Sequence, residues 1–568
     1  MDYSILAGTY ERLEAVSSKL KKTDILAELF SRTPAEEIQK VVLLCQGIVF
    51  SKYKMMELGI ATQMMTRAIA KATGFRPSDV EEKFKKTGDL GLAAEECIKS
   101  RKQTSLLRKK LTIDFVFNNL QKLATITGGG SQERKLNLIA ELIISAQPKE
   151  ALYIVRTVLE ELRIGAAEGI IRDAIVNAFL LKKEASKEEK EKSTAAVEYA
   201  WNIVSDFGEI ARIAKEKGMN GLKKVKVEIG KPIQVMLGEK VENIKIVLGD
   251  FGKIAIEKKY DGARIQVHKQ NDKIWLFTRR EEEVTKQFPD LVELCRKCLK
   301  PKECIVEGEM LGVSQKNYLP LPFQVLSQRI HRKYDIEQMV KEIPIQMNLF
   351  DAVFLEGEML FDRPFIERRK ILERIVKIMP NKFQLAEQLI TDDLKKAEDF
   401  YKKALADEQE GVMLKVLDST YVFGRHVGTM YKVKPIMETL DLVIVGATWG
   451  EGARASWLTS YVLACRDPDT GDLLECGMMS TGLTEEEYKQ MTITLKSLII
   501  SEKGKTVKVK PKIVVEVAYQ EIQKSPNYES GFALRFPALK NIRFEKGPEE
   551  ADTIERLIEL FKSQGKAG

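Results

Sequence analysis

Apolar residues in the first part of the chain recur at the spacing of one helix face. Ile38, Val41, Val42 and Cys45 form such a set. We interpret the preceding Thr33-Pro34-Ala35-Glu36 as a capping box with proline in the first turn, and Gly47 as a stop signal. The pattern predicts a helical N-terminal region, in which the highly charged run at 182–192 is a solvated helix face.

From about residue 253 the apolar pattern changes to a period of two. Ala263, Ile265 and Val267 alternate with polar residues, a turn follows at Asn271-Asp272, and residues 273–280 return as a second strand. This is typical of an antiparallel hairpin. Further strands are predicted at 304–311, 346–355 and 410–416, and a helix at 364–378. Strands interrupted by helices in this way predict an α+β domain.

A third pattern begins near Tyr431. Short strands are predicted at 441–449, 460–466, 473–480 and 510–519, with turn residues such as DPDTGD between them and a helix at 549–563. Such a series predicts a small β-barrel of the oligonucleotide-binding type (OB-fold). Because 568 residues are too many for one core, we predict three domains, at 1–225, 226–430 and 431–568.

Composition narrows the class of protein. The chain is 44% hydrophobic and 31% charged, as in globular proteins. It has no run of eighteen or more apolar residues, and its first twenty residues are amphipathic, so we expect a cytoplasmic protein without a membrane span. The net charge of +8 favours a polyanionic partner, because Lys and Arg gain affinity by releasing counterions from phosphates.

Cysteine and histidine usage limits the chemistry. The seven cysteines are odd in number and mostly in apolar surroundings, which argues against a disulfide framework. Cys295, Cys298 and Cys304 lack a second CxxC or a nearby His pair, so we do not predict a zinc site. The three histidines are scattered, which argues against His as a general base.

The sharpest motif is Lys259-Tyr260-Asp261-Gly262, which fits the pattern KxDG at a strand end. Alone it is weak, because an Asp-Gly β-turn gives the same residues. Five more motifs follow in order: Thr278-Arg279-Arg280, Glu307-Gly308-Glu309, Leu349-Phe350-Asp351, the run EGVMLK at 410–415, and Tyr431-Lys432-Val433-Lys434. The ordered set resembles the nucleotidyltransferase superfamily of ligases and capping enzymes.

The whole chain resembles ATP-dependent DNA ligases of the archaeal and eukaryotic replicative type. The resemblance implies an all-α DNA-binding domain at 1–225, an α+β adenylation domain at 226–430 and a C-terminal OB-fold domain at 431–568. It implies that Lys259 is the nucleophile that carries AMP. An amine attacks the α-phosphate of ATP only when deprotonated, a form that nearby positive charge and partial desolvation favour. Lys258 either adds such charge or is a solvent-facing strand residue.

The resemblance also implies roles around the nucleotide. Glu257 is expected to accept a hydrogen bond from the adenine amino group and Phe350 to stack on the purine, while Arg264 and Arg279 hold ribose and phosphate. These residue types are chemically suitable, since an aromatic ring offers a π face to a base and an Arg fork matches phosphate oxygens. A core position in its strand is the alternative for Phe350.

Carboxylates and lysines complete the predicted site. By the same resemblance, Glu309 and Glu410 bind Mg²⁺, with Mn²⁺ as a candidate substitute, because a hard cation takes oxygen ligands. Glu309 also belongs to the expected nucleotide-binding set, and plain ion pairs are the alternative for both carboxylates. Lys432 and Lys434 lie two apart on a strand, so they can reach the triphosphate together, and Arg425 is expected to join them.

The C-terminal region carries a variant of the last ligase motif, which is usually written RxDK. In Arg543-Phe544-Glu545-Lys546 the acid is Glu in place of Asp. We expect Arg543 and Lys546 to orient the pyrophosphate leaving group when the C-terminal domain closes. The role of Glu545 is left open.

Two N-terminal segments are predicted to contact DNA. Gly128-Gly129-Gly130-Ser131-Gln132 precedes a predicted helix, and a Gly-rich turn at a helix start presents N–H groups to phosphate. The second segment, 162–169, contains Gly165, Ala166, Ala167 and Gly169. Both resemble the minor-groove segments of ligase DNA-binding domains, where small residues let the backbone approach the duplex. Helix packing by the glycines is the alternative.

A candidate partner site lies at Gln103, Leu106 and Leu107, where related archaeal ligases carry a Gln-x-x-aromatic-aromatic element that docks on the sliding clamp. The aromatic residues are missing here. Clamp binding through the two leucines and a simple helix face therefore both stay open.

The resulting hypothesis is a monomeric ATP-dependent DNA ligase that seals nicks in duplex DNA in replication, repair and recombination. Lys259 takes AMP from ATP, the AMP passes to the 5′-phosphate of the nick, and the 3′-hydroxyl displaces it. A GTP-using capping enzyme and a non-catalytic nucleic-acid-binding protein with a degenerate fold are the alternatives. The sequence leaves open whether ADP or NAD also serves as donor.

Overall fold

The structure is a computed structural model. It describes residues 1–54, 56–101, 109–182, 184–330, 332, 334–425, 428–435, 438–451 and 454–563, except for the side chains of Lys52, Gln324 and Arg425. The chain forms two compact units. The larger unit comprises Met1–Val241, Lys245–Asp392 and Met413–Tyr431, and the smaller unit comprises Glu242–Ile244, Asp393–Val412 and Lys432–Gly568.

The N-terminal part of the chain is helical, as predicted. Its helices are α1 (Tyr3–Glu14), α2 (Lys19–Arg32), α3 (Ile38–Cys45), α4 (Thr62–Thr73), α5 (Pro77–Thr87), α6 (Leu90–Lys99), α7 (Ile113–Thr125), α8 (Ser131–Ser145), α9 (Pro148–Val158), α10 (Glu168–Phe179), α11 (Lys187–Val204) and α12 (Phe207–Lys223). Their apolar faces share one core, in which Tyr3, Tyr10 and Phe30 are fully buried. The charged first turns of α11 are exposed, as expected for a solvated face.

The capping box predicted at Thr33 is wrong. α2 continues to Arg32, and the hydroxyl of Thr33 donates to the carbonyl oxygen of Leu29 at 2.8 Å. The next helix, α3, begins only at Ile38. A threonine between two helices can satisfy a carbonyl at the end of the first or an N–H at the start of the second, and sequence spacing does not separate these outcomes. Gly47 follows α3 with a φ of +74°, as expected of a stop signal.

The middle of the chain is α+β. Its helices are α13 (Ile244–Phe251), α14 (Pro289–Cys298), α15 (Phe323–Ile330), α16 (Ile336–Glu342), α17 (Phe365–Ile375) and α18 (Leu394–Ala406). Its strands are β1 (Met236–Leu237), β2 (Glu239–Lys240), β3 (Ile254–Lys259), β4 (Ala263–Gln270), β5 (Lys273–Thr278), β6 (Glu303–Gly312), β7 (Ile345–Leu355), β8 (Glu358–Met359), β9 (Phe383–Leu385), β10 (Gln388–Thr391), β11 (Gly411–Val416), β12 (Gly424–Arg425) and β13 (Met430–Val433). The predicted hairpin, the three further strands and the helix after Pro364 are confirmed as β4–β5, β6, β7, β11 and α17.

Two sheets position the residues that the motifs singled out. A six-stranded sheet has the order β5-β4-β6-β7-β8, with β9 parallel to β7. In it Arg264 on β4 lies opposite Glu309 on β6. A five-stranded sheet has the order β10-β3-β11-β13-β2, and in it Gln388 lies opposite Glu257.

The C-terminal part is β-rich. Its strands are β14 (Leu440–Trp449), β15 (Leu458–Arg466), β16 (Leu473–Met479), β17 (Ile499–Lys503), β18 (Thr506–Val509), β19 (Val514–Ala518), β20 (Glu521–Lys524), β21 (Phe532–Arg535) and β22 (Ala538–Ile542), and its helices are α19 (Glu485–Lys496) and α20 (Ile554–Ser563). A seven-stranded sheet has the order β16-β15-β14-β18-β17, with β19 paired to both β14 and β22. Strand β14 serves two partners on one side, β19 along Leu440–Val443 and β18 along Gly446–Thr448. In the described ranges, no helix is long and apolar enough to cross a bilayer.

A chain of buried polar side chains supports the six-stranded sheet. The N–H of Gly230 donates to Nδ1 of His268 at 3.2 Å, so Nε2 carries the ring hydrogen and donates to Oε1 of Gln266 at 2.8 Å. The amide of Gln266 donates in turn to Glu307 at 3.1 Å. Burial lowers the pKa of His268 to about 3, so the ring is neutral at physiological pH.

Burial of His268 predicts how the free energy of unfolding depends on pH. Its side chain takes up a proton near pH 6.5 in the unfolded chain but only near pH 3 in the folded one, so its contribution is fully present above pH 6.5 and is lost as the pH falls toward 3. Between pH 8 and pH 5 the free energy of unfolding of the wild type should fall by about 2 kcal/mol more than that of His268→Gln. Chemical denaturation at a series of pH values measures this difference, and parallel profiles for the two proteins would contradict it.

Candidate active site

Lys259 is the last residue of β3, as the motif predicted, and the bend that follows it lies against β6. A side-chain carbon added to Gly262 would clash with the carbonyl oxygen of Met310 and would lie 3.1 Å from Cγ of Glu309. Glycine is therefore needed here for close approach of two backbones, and the motif is more than a surface β-turn. The approach brings the chain just after Lys259 to the strand that carries Glu309.

Glu257 lies two residues before Lys259, so both side chains fall on one side of β3. The residue is 2% exposed. Oε1 accepts from Nη1 of Arg369 at 3.3 Å and from Nε2 of Gln388 at 2.9 Å, and Oε2 lies 2.7 Å from Nζ of Lys415. The strand end therefore carries a buried acid whose charge is balanced by two cations.

Lys258 departs from one of its two interpretations, that of a solvent-facing strand residue. Its side chain is 11% exposed and forms an ion pair with Glu387, so it is not solvent-facing and its charge has a partner. The N–H of Glu387 also donates to the hydroxyl of Tyr260 at 3.0 Å. The side chains that neighbour Lys259 in sequence thus join β3 to the segment before β10.

Arg264 and Phe350 form the second half of the site. Arg264 donates through Nη2 to Oε2 of Glu307 at 2.7 Å and through Nη1 to the carbonyl oxygen of Met236 at 2.6 Å. Burial alone would lower the pKa of Arg264, but the charge of the fully buried Glu307 outweighs it and raises that pKa. The guanidinium lies 5.2 Å from the centroid of the Phe350 ring, and Nζ of Lys415 lies 4.6 Å from it.

Phe350 is half-buried, in contrast to the core residues around it in β7. Its neighbour Asp351 is buried and accepts two hydrogen bonds from Arg368, at 2.9 and 3.0 Å. The phenylalanine of this motif is thus partly accessible, while the aspartate anchors α17 to β7. Arg279, by contrast, is exposed in the turn after β5.

Glu309 is half-buried on β6, and its charge acts on Arg264. Magnesium is commonly held by one or two carboxylates together with waters and substrate phosphates. Glu309 offers a hard oxygen donor of this kind beside the bend that follows β3. Among the described residues there is no group of three or more His, Cys, Asp and Glu side chains placed to hold a metal ion. The predicted Mg²⁺ site has only two carboxylates, so it does not require a group of that size.

Glu410, Lys432 and Lys434 belong to the smaller unit. Nζ of Lys434 lies 2.9 Å from Oε2 of Glu410. The carboxylate predicted for metal and one lysine predicted for phosphate are therefore each other's partners here. Arg425 is in β12, where it pairs with Leu237, and its side chain is outside the description.

Arg543 and Lys546 converge on one carboxylate of the smaller unit. Nε of Arg543 donates to Oδ1 of Asp441 at 3.1 Å, and Nζ of Lys546 donates to Oδ2 at 2.6 Å. Burial alone would raise the pKa of Asp441, but the hydrogen bonds from Lys546 and Arg543 outweigh it and lower that pKa. Glu545 is exposed, with its carboxylate 3.8 Å from Arg543.

The first predicted DNA segment lies at the start of α8. Gly128, Gly129 and Gly130 are exposed, and no described atom lies within 4 Å of the position that a side-chain carbon would take at any of them. Helix packing therefore does not account for these glycines. Gly130 has a φ of +69° and precedes Ser131, while Arg134 donates to the carbonyl oxygen of Thr127 at 2.8 Å and so holds the turn.

The second predicted DNA segment joins α9 to α10. Leu162 and Ile164 are buried, whereas Gly165, Ala167 and Gly169 are exposed and Ala166 is half-buried. Nζ of Lys22 donates to the carbonyl oxygen of Ile164 at 2.6 Å and occupies the space beside Gly165. The segment is thus anchored by two apolar side chains and displays small residues outward.

The motif analysis missed partners of Glu257. Lys415 is in the run EGVMLK and could have been singled out there as a lysine in a buried strand. Arg369 and Gln388 had no local signal, because they lie outside every motif. The predicted clamp residues Gln103, Leu106 and Leu107 lie outside the described part of the chain.

Comparison with known proteins identifies the family. The family described as "ATP dependent DNA ligase domain" matches residues 235–434, "DNA ligase N terminus" matches 2–176, and "ATP dependent DNA ligase C terminal region" matches 454–546. Proteins named DNA ligase are similar over 99% of this chain: one from Nanoarchaeum equitans (48% identity, 99% of that protein), one from Thermococcus fumicolans (44%, 99%) and one from Archaeoglobus fulgidus (41%, 99%).

The fold agrees with these matches. A solved structure described as Pmar-Lig_PreS3 covers 95% of this chain and 99% of its own, with a TM-score of 0.57 at 16% identity. The helical N-terminal part, the α+β middle and the β-rich C-terminal part follow the order of the three matched regions. The chain therefore belongs to the ATP-dependent DNA ligase family, in its archaeal type.

Proposed function

We propose that this ligase seals nicks in duplex DNA through an AMP group carried on Nζ of Lys259. The observation that carries the proposal is the placement of Lys259 at the end of β3, two residues after the buried Glu257 and beside the bend that Gly262 allows against Glu309. This arrangement can set a base-binding acid, a nucleophilic amine and a metal-binding carboxylate around one nucleotide.

The proposed reaction has three phosphoryl transfers. Nζ of Lys259, having lost a proton, forms a bond to the α-phosphorus of ATP, and pyrophosphate leaves. An oxygen of the 5′-phosphate at the nick then attacks the same phosphorus, and the P–N bond breaks. Finally the 3′-hydroxyl loses its proton and attacks the 5′-phosphorus, so that the phosphodiester forms and AMP leaves.

Each residue of the proposed nucleotide site has a role that suits its chemistry. Glu257 accepts from the adenine amino group, Phe350 stacks on the base, and Arg264 and Arg279 hold ribose and phosphate. Lys432 and Lys434 bind the triphosphate together with Arg425, and Arg543 and Lys546 orient pyrophosphate. Half-burial of Phe350 supports stacking, because part of the ring is accessible.

Glu309 and Glu410 are the proposed Mg²⁺ ligands. The ion, when bound, supplies positive charge that stabilises the charge developing on the transferred phosphate. Beside it, Lys434 exchanges Glu410 for a phosphate oxygen. Mn²⁺ is a candidate substitute, since the donors are oxygens.

The proposed partner is nicked duplex DNA, held through Gly128–Gln132 and Gly165–Gly169 in a domain at 1–225. The domains at 226–430 and 431–568 carry the chemistry, an assignment that the three matched regions support. Clamp binding through Gln103, Leu106 and Leu107 remains part of the proposal on sequence grounds alone. We further propose a monomer, and a cytoplasmic location with which the free, buried cysteines are compatible.

Lys259→Ala should abolish both adenylate transfer to the protein and nick sealing, because the bond to AMP requires that amine. Retention of nicked duplex on a gel should be nearly unchanged. Mass spectrometry of the wild type after incubation with ATP should place the added AMP on the peptide that contains residue 259. Lys258→Ala is the matched control and should keep the adduct. Sealing by Lys259→Ala, or an adduct elsewhere, would refute the assignment.

Glu309→Gln and Glu410→Gln should each raise the Mg²⁺ concentration for half-maximal adenylate transfer by about tenfold, because a neutral amide oxygen is a weaker ligand than a carboxylate. Glu303→Gln, on the other end of β6, is the control and should titrate as the wild type does. Identical Mg²⁺ titrations of all four proteins would remove the metal assignment.

Gly129→Asp should weaken binding of nicked duplex by about tenfold at low salt, because a carboxylate would face the phosphate backbone. Gly129→Asn has the same size without the charge and is the matched control. The gap between the two variants should narrow as salt is raised, while adenylate transfer from ATP stays equal in both. Equal DNA affinity for the two variants at low salt would count against this segment as a DNA contact.

A further inference from the structure

The carboxylate of Glu257 is oriented by three other elements. Arg369 comes from α17, Gln388 from β10 and Lys415 from β11, at 3.3, 2.9 and 2.7 Å respectively from its oxygens. With 2% of the residue exposed, water does not compete for these contacts. The direction in which the carboxylate offers its remaining acceptor position is therefore set by its partners.

Arg369 is itself fixed. Its Nη2 donates to the carbonyl oxygen of Ala386 at 2.9 Å and its Nε donates to Glu373 at 3.0 Å, so all three guanidinium nitrogens have partners. The residue is 5% exposed. A planar guanidinium whose three nitrogens are all hydrogen-bonded holds its partners in one geometry. Gln388 is constrained in another way, because it lies opposite Glu257 in the pairing of β10 with β3.

The acceptor positions of Glu257 can be counted. An ionised carboxylate has about four of them and cannot donate. Arg369 and Gln388 donate to Oε1, and Lys415 forms an ion pair with Oε2, which leaves an acceptor position on Oε2 for a ligand. A 6-amino purine presents an N–H donor to that position. A 6-oxo purine would present lone pairs to the same oxygen, and a polar group without a partner in a buried site is costly.

We propose that Arg369 and Gln388 are positioning residues that orient Glu257 and thereby select a 6-amino purine nucleotide over a 6-oxo one. The inference rests on the role of Glu257 in base binding proposed above. Both residues act through Glu257, so their effect falls on the choice of nucleotide. Lys415 is set apart from them because it also lies over the Phe350 ring.

The test measures transfer of nucleotide to Lys259 from labelled ATP and from labelled inosine triphosphate, which has a 6-oxo group. In Arg369→Met the ratio of kcat/KM for ATP to that for inosine triphosphate should fall by about tenfold or more, mainly through a higher KM for ATP. Arg369→Lys should recover part of the ratio, since it restores a cation and a donor. Lys370→Met, at the neighbouring exposed position of α17, is the matched control and should keep the wild-type ratio.

Gln388→Leu is a second test variant, and it leaves the ion pairs of Glu257 in place. It removes one neutral donor and should lower the ratio in the same direction by a smaller factor. If a thermal melt shows that Arg369→Met is not folded, the ratio measured for Gln388→Leu alone tests the proposal. An unchanged ratio, with both nucleotides impaired equally, would show a purely structural role and overturn the proposal. Absence of any adduct on Lys259 in the wild type would overturn the proposed function itself, which is a separate outcome.

Discussion

The negative charge of Glu257 has to be balanced in a place from which water is excluded, two residues before the lysine proposed as nucleophile. A buried carboxylate without partners costs several kcal/mol. Arg369 and Lys415 supply the opposite charge, and each comes from an element remote in sequence. The need to compensate one acid therefore ties α17 and β11 to the end of β3 and fixes the surroundings of Lys259.

The same solution recurs in the six-stranded sheet that carries Phe350. Glu307 is fully buried and accepts from Arg264, Gln266 and the hydroxyl of Tyr421. Burial and the charge of Glu307 raise the pKa of Tyr421, which keeps that hydroxyl a donor. Buried pairs of this kind often contribute less stability than apolar residues of equal volume. Their effect here is geometric, because they direct two cations toward the ring of one half-buried aromatic residue.

Local patterns in the sequence predicted many of the helices and strands. The alternation at Ala263, Ile265 and Val267 predicted the hairpin, although the polar face of β4 is buried as well, because hydrogen bonds satisfy Gln266 and His268 there. The cap at Thr33 failed because its hydroxyl had a carbonyl acceptor in the preceding turn. Arg369 and Gln388 lie 112 and 131 residues from Glu257, and no local period records a contact over that separation. The carboxylate was therefore predictable and its partners were not.

Three of the cations proposed to bind phosphate are paired with carboxylates within the smaller unit. Lys434 is paired with Glu410, and Arg543 and Lys546 share Asp441. Clustered cations without an anion would repel one another, so these carboxylates stabilise the unit when phosphate is absent. In the proposed roles of these cations, a phosphate would replace the carboxylate as their partner. For Glu410 the released carboxylate is the one proposed to hold Mg²⁺, so the lysine and the acid would gain new partners in the same event. The ion pairs of Lys434, Arg543 and Lys546 are therefore the contacts that the proposed metal-bound nucleotide would replace.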